Sequence, residues 1–247
     1  MKSVLLSCSI AMLAHMVGAS DALQKVTDAA KQVGNKPNYS WATMTRDADG
    51  SPGKLGPIQG KAEKNGVTFL AFVVGGVPVE VCMKDKKGAA KALEGWQTFD
   101  EIARTSGTAA AVVRYLRIYK APVAESAELA SNTKSLKEEE SVFSGELKEN
   151  IVKELLLFGV RRREGEEQPK TSDAKGDIKF WLKEGALTKY EIKVQGKVTV
   201  GDRENEINRT TTVQIKDAGT TKIDVPPEAL EKMSDRSGPG SVALALL

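Results

Sequence analysis

The chain has one histidine, His15, and two cysteines, Cys8 and Cys82. A Ser–His or Cys–His nucleophile pair needs an imidazole base, and a zinc site without histidine needs several thiolates or carboxylates. Both are closed to this chain if His15 and Cys8 are lost on maturation, as argued below. No glycine-rich phosphate loop ending in Lys-Ser/Thr occurs, and no GxGxxG run follows a strand pattern. Two-carboxylate catalysis is the chemistry left open. The acidic residues, however, fall in runs such as Glu138-Glu139-Glu140 and Glu164/Glu166/Glu167, which read as solvated surface. Arg161-Arg162-Arg163 has the charge to meet an anion such as a lipid headgroup, but the acids directly after it make a self-compensated loop. Trp41, Trp96 and Trp181 could line a ligand site; aromatics are only 5% of the chain, and most are expected in core or edge packing. The residues thus predict no enzyme, no cofactor and no metal.

The N-terminus decides which of these groups survive. Lys2 precedes an apolar stretch from Val4 to Val17, and Gly18-Ala19 gives a small-residue end, the three-part pattern of a secretory signal. A cut after Ala19 is expected, with one after Ala22 as second choice. The stretch is shorter than the roughly 20 residues of a membrane span and is interrupted by His15. Lipidation at Cys8 is not expected, since Leu6 stands where a small residue is needed. Cys82 is then the one thiol left, and no internal disulfide can form. It sits between Glu80 and Lys84 on the polar register of a strand pattern, and reads as a small residue half-buried under a helix rather than a reactive thiol. The formal net charge is +3, with both signs interspersed, unlike the one-sided basic face of a nucleic-acid binder. No nucleic-acid partner and no transmembrane segment are predicted.

The elements follow from period. Leu23, Val26, Ala30 and Val33 form a helical stripe over Asp21 to Val33, ended by Gly34. Tyr39 to Thr45, Ile58 to Glu63, Val67 to Val74 and Val77 to Lys84 read as antiparallel strands, with Asn65-Gly66 and Gly75-Gly76 as turns. From Thr98 to Ser131 the pattern is helical: Ala109, Val112, Val113 and Leu116 make a stripe, Pro122 breaks it, and a shorter helix follows. Leu147 to Phe158 predicts a further helix with Leu147, Ile151, Leu155 and Phe158 buried, and Arg161 to Gly176 a long exposed loop.

The C-terminal third carries the clearest signal. Ile178, Phe180, Leu182, Tyr190, Ile192, Val194, Val198, Val213 and Ile215 alternate with polar residues over three consecutive strands, the pattern of an antiparallel sheet covered on one face. A short helix opens at Pro226-Pro227. Strands and helices segregate, so the fold class is α+β, with residues 20–233 as one domain and 234–247 as a flexible tail.

The run from Ile178 to Tyr190, the Thr210-Thr211-Thr212-Val213 strand, the Asp217-Ala218-Gly219 turn and Val225-Pro226-Pro227-Glu228-Ala229 together resemble the LolA-like and LppX-like class of periplasmic lipoprotein carriers. The resemblance covers about 60 residues closely. It implies a curved antiparallel half-barrel with helices on its concave face, enclosing an apolar pocket that shelters an acyl chain. In that class the defining feature is a cavity, so no binding residue carries over by identity.

Two functions remain open at this level. One is a periplasmic or secreted carrier whose lipid or acyl-chain ligand lies on the nine-residue apolar face, with the Leu147–Phe158 helix as its cover. The other is a structural or assembly protein of the envelope, engaging a protein partner, whose sheet is packed solid. A carrier needs a pocket of several hundred Å³; a scaffold needs interior packing of crystal-like density.

Overall fold

The computed structural model describes residues 19–53, 56–85, 87–92, 95–105, 107–158, 160 and 167–234. The stretch expected to be a signal sequence, up to residue 18, the Arg161–Arg163 run and the expected tail from residue 235 lie outside them. Eleven antiparallel strands form one sheet. The first six are β1 (Asn38–Asp47), β2 (Ile58–Glu63), β3 (Thr68–Val74), β4 (Val77–Lys84), β5 (Lys87–Ala92) and β6 (Gly95–Thr98). They run as a meander, one neighbour after the next. The other five are β7 (Thr133–Glu139), β8 (Val142–Leu147), β9 (Lys170–Lys183), β10 (Ala186–Val200) and β11 (Arg203–Lys216). They form a second meander, and β11 closes against β1 to join the two. The sheet stays open, an α+β half-barrel edged by β6 and β7.

Among the described residues there are six helices: α1 (Ala19–Gly34), α2 (Phe99–Ala103), α3 (Thr108–Leu116), α4 (Pro122–Ser131), α5 (Glu149–Leu157) and α6 (Pro227–Ser234). Thr98 and Glu101 cap α2 reciprocally. Pro122 opens α4 at its first turn, where its missing N–H costs nothing. The main core joins the apolar sides of α1 to α5 to one face of the sheet. The sixth helix covers the other face, over Cys82, Ala89 and Trp96. The one-face expectation therefore holds for five helices, and both faces of β4 are covered: Val81, Cys82 and Met83 are all buried.

Two local expectations are corrected. The helix expected at Leu147 starts at Glu149, because Leu147 is the last residue of β8. Its buried stripe is therefore Val152 and Leu156, while Phe158 is exposed. The loop expected through Gly176 ends early, since β9 starts at Lys170 and pairs with the far end of β10. Glu138 and Glu139 lie on β7, a charged edge strand that buries only Leu136. Charge on an edge blocks pairing with another chain.

Cys82 is fully buried beneath α6. Burial, helped by Glu63, pushes its thiol up to about 11. Only thiolate reacts, so Ellman's reagent should leave the native protein unlabelled at mildly alkaline pH and label it once it is unfolded. Stoichiometric labelling of the folded chain would contradict this placement.

Candidate functional site

The nine residues of the C-terminal apolar face are brought together as one surface. Eight are buried, with Ile178, Phe180 and Tyr190 at 0% exposure, and Leu182 is half-buried. They are covered directly: α5 packs on β9 and β10, and α1 packs on β10. Two glycines let α5 sit close. A Cβ on Gly176 would lie 2.8 Å from the Val152 side chain, and one on Gly196 would lie 2.7 Å from Leu156. Arg209 of β11 donates a hydrogen bond to the Leu155 carbonyl at the C-terminal end of α5, where a cation also meets the negative end of the helix dipole. These anchors make α5 a wall of the half-barrel.

Beside that wall is a cluster that the strand alternation did not reveal. Three of the chain's four tyrosines, Tyr115, Tyr119 and Tyr190, gather around one carboxyl, Glu125, and the fourth, Tyr39, adjoins them with Trp41. Tyr39 and Trp41 are two apart on β1, their ring centroids 5.4 Å apart. Tyr115 and Tyr119 are four apart, at the end of α3 and just beyond it, and meet edge to face at 5.6 Å. Those two spacings, period two and period four, were the only signals in the sequence. Glu125 comes from α4 and accepts a hydrogen bond from the Tyr190 hydroxyl of β10.

Burial governs the electrostatics. It raises the Glu125 carboxyl above the usual carboxylate range, with the Tyr190 hydrogen bond working against it and the Glu128 charge adding to it. Burial also holds Tyr115, Tyr119 and Tyr190 well above the usual phenol range, and pushes Tyr39 to about 12. The phenols are therefore neutral donors at physiological pH. Among the described residues Glu125 is the one carboxyl with a raised pKa, whereas two-carboxylate hydrolysis uses a pair. Its acidic neighbour Glu128 is exposed and paired with Lys120. Among the described residues no group of three or more His, Cys, Asp or Glu could hold a metal ion.

Glu125, Tyr115 and Tyr119 are half-buried between the helices and the sheet. Exposed apolar residues, Ile118 and Phe158, form a rim beside them. Ile118 is 68% exposed and Phe158 is 37% exposed, and the Phe158 ring stands edge-on to Tyr115 at 4.8 Å. Val112, Leu155 and Val160 are half-buried against the core. An opening, a cleft of about 400 Å³, lies between α1 and the β7–β8 and β9–β10 turns. Leu182 reaches it, but Asp28, Glu138, Glu140 and Glu184 line it, and the Lys25–Glu138 ion pair borders it at 2.8 Å. Such a lining does not suit an acyl chain.

No family model matches the sequence, and no curated protein matches it. Solved structures do. The chain is similar to LprF from Mycobacterium bovis, at 11% identity and TM-score 0.46, over 86% of this chain and 99% of that one. It is similar to the Mycobacterium tuberculosis lipoprotein LppX at 11% identity and TM-score 0.46, over 84% and 99%. A LolA superfamily protein from Nitrosomonas europaea matches at 12% identity and TM-score 0.32, over 86% and 96%. The class that the C-terminal motif resembles is thus among the structures found. At these identities and TM-scores nothing about a ligand passes from those proteins to this one.

The Glu125 charge makes a stability prediction. The folded state holds its proton to higher pH than the unfolded chain, which releases it near 4.5. Stability should therefore fall as pH rises from the ordinary carboxylate range through the raised one. Glu125→Gln keeps an acceptor for the Tyr190 hydroxyl and removes the charge. The variant should be more stable than wild type at about pH 8, and the gain should vanish below about pH 4. Denaturant titrations at the two pH values check this, and a pH-independent difference would contradict it.

Proposed function

We propose that this chain is an exported, non-enzymatic carrier of a lipid or other apolar ligand in the bacterial envelope. The observation that supports this reading is the exposed apolar rim of Ile118 and Phe158 beside the half-buried Tyr115, Tyr119 and Glu125. Isolated surface apolar residues need no explanation, but an exposed apolar patch suits an apolar guest. The nine-residue apolar face lies in the core behind it, and its Tyr190 donates a hydrogen bond to Glu125. Export is supported by the three-part N-terminus. The cut after Ala19 is supported by packing, since a cut after Ala22 would remove a residue that is 1% exposed in the core. Among the described residues no helix is long and apolar enough to cross a membrane.

Dense packing of α1 and α5 on β9 and β10 favours the alternative, an envelope scaffold that binds a protein partner and no small molecule. Uptake of Nile red, a neutral apolar dye, separates the two. The carrier should take it up saturably, and charges placed in the rim by Ile118→Asp with Phe158→Asp should weaken uptake on the order of tenfold. Folded wild-type protein that takes up no dye would leave the scaffold reading standing.

A further inference from the structure

Ile118 is the most exposed large apolar residue among those described, and it stands with Tyr115 and Phe158 on the surface of the helical layer. The sequence holds a second apolar element that the fold described above does not include: Val242-Ala243-Leu244-Ala245-Leu246-Leu247, six apolar residues in a row. Between α6 and this run the chain reads Asp235-Arg236-Ser237-Gly238-Pro239-Gly240-Ser241. That stretch has no large apolar side chain, so residues 242–247 are the part that gains from leaving water.

Two ion pairs bring the end of α6 towards the rim. Lys232, in the last turn of α6, pairs with Glu101 of α2 at 3.3 Å. Asp100, the residue before Glu101, pairs with Arg117 at 2.6 Å, and Ile118 follows Arg117 in the chain. The first turn of α2 thus stands between Ser234 and Ile118. Residues 235–241 can span roughly 25 Å at 3.3–3.6 Å per residue, enough to carry the apolar run round that turn.

We propose that residues 242–247 dock on the Ile118–Phe158 rim of their own chain and cover it until a guest takes their place. The docking stands apart from the carrier reading, and only the displacement by a guest rests on it. A segment tied by so short a linker acts at a local concentration in the millimolar range, which favours it over a second copy or a free partner at micromolar concentration. The rim also offers it more than one side chain, with half-buried Val112 and Leu155 near Phe158 and Tyr115. Val73, which is 43% exposed and shares the outer register of β3 with Phe69, is the comparison surface, since α6 sits on that same face.

Paired cysteines in the full-length mature protein test the docking, because buried Cys82 stays out of reach while the chain is folded. On mild oxidation, Ile118→Cys with Leu244→Cys should close an intramolecular disulfide about tenfold faster than Val73→Cys with Leu244→Cys. Equal rates, or a faster Val73 pair, overturn the proposal. Leu244→Asp with Leu246→Asp, which leaves every described residue unchanged, should raise the apparent affinity for Nile red about tenfold, because the dye then meets an open rim. Unchanged or weaker dye binding overturns the covering role. Absence of dye uptake in both proteins removes the carrier reading instead, and the disulfide rates alone then uphold or overturn the docking.

Discussion

Gly60→Val is expected to lower stability by on the order of 3 kcal/mol or more. Gly60 on β2 pairs with Trp41 on β1, and the indole lies across the space a side chain would take. A Cβ there would fall 2.0 Å from the ring, well inside contact distance. Trp41 is among the largest fully buried side chains, so it cannot swing out without opening the core around Tyr39 and Tyr119. Glycine at this position is what allows a tryptophan to lie flat against a strand. Urea denaturation measures the loss, and a variant within 1 kcal/mol of wild type would mean that the indole is not held there.

Leu156→Ala is expected to cost about 2–5 kcal/mol. Leu156 is 0% exposed and reaches into the space left by Gly196 on β10. Because the facing residue is glycine, no neighbouring side chain can expand into the gap, which puts the cost in the upper part of that range. The same variant tests the role of α5. If α5 is a fixed wall, the variant should lose stability but still take up Nile red, since the rim and the Glu125 cluster are untouched. Loss of uptake at a temperature where the variant stays folded would show that α5 is itself the gate.

What could be read from the sequence follows the physics of each element. Strands β9 to β11 announce themselves because one face is buried and the other is wet, so Tyr190, Ile192, Val194 and Val198 alternate with polar residues. Strand β7 is hidden for the opposite reason: as a solvated edge it buries Leu136 alone, and Lys-Glu-Glu looks like helix or loop. The start of β9, Lys170 to Lys175, has no buried residue to mark it. Strand β5 is built from small residues, and the Phe99 ring occupies the space above Gly88, so no apolar alternation appears. The candidate site is the least legible part. Its members come from β1, α3 and the residues just after it, α4 and β10, and each local pair reads only as packing. That Glu125 is buried depends on three elements closing over α4, which no local pattern encodes.

The central claim is that the protein carries a lipid or other apolar ligand. Native mass spectrometry of the mature protein, purified from its own envelope without detergent exchange, tests it most directly. The account predicts a folded species heavier than the polypeptide by the mass of such a ligand, released on denaturation. Bare polypeptide alone, from protein shown to be folded, would contradict it.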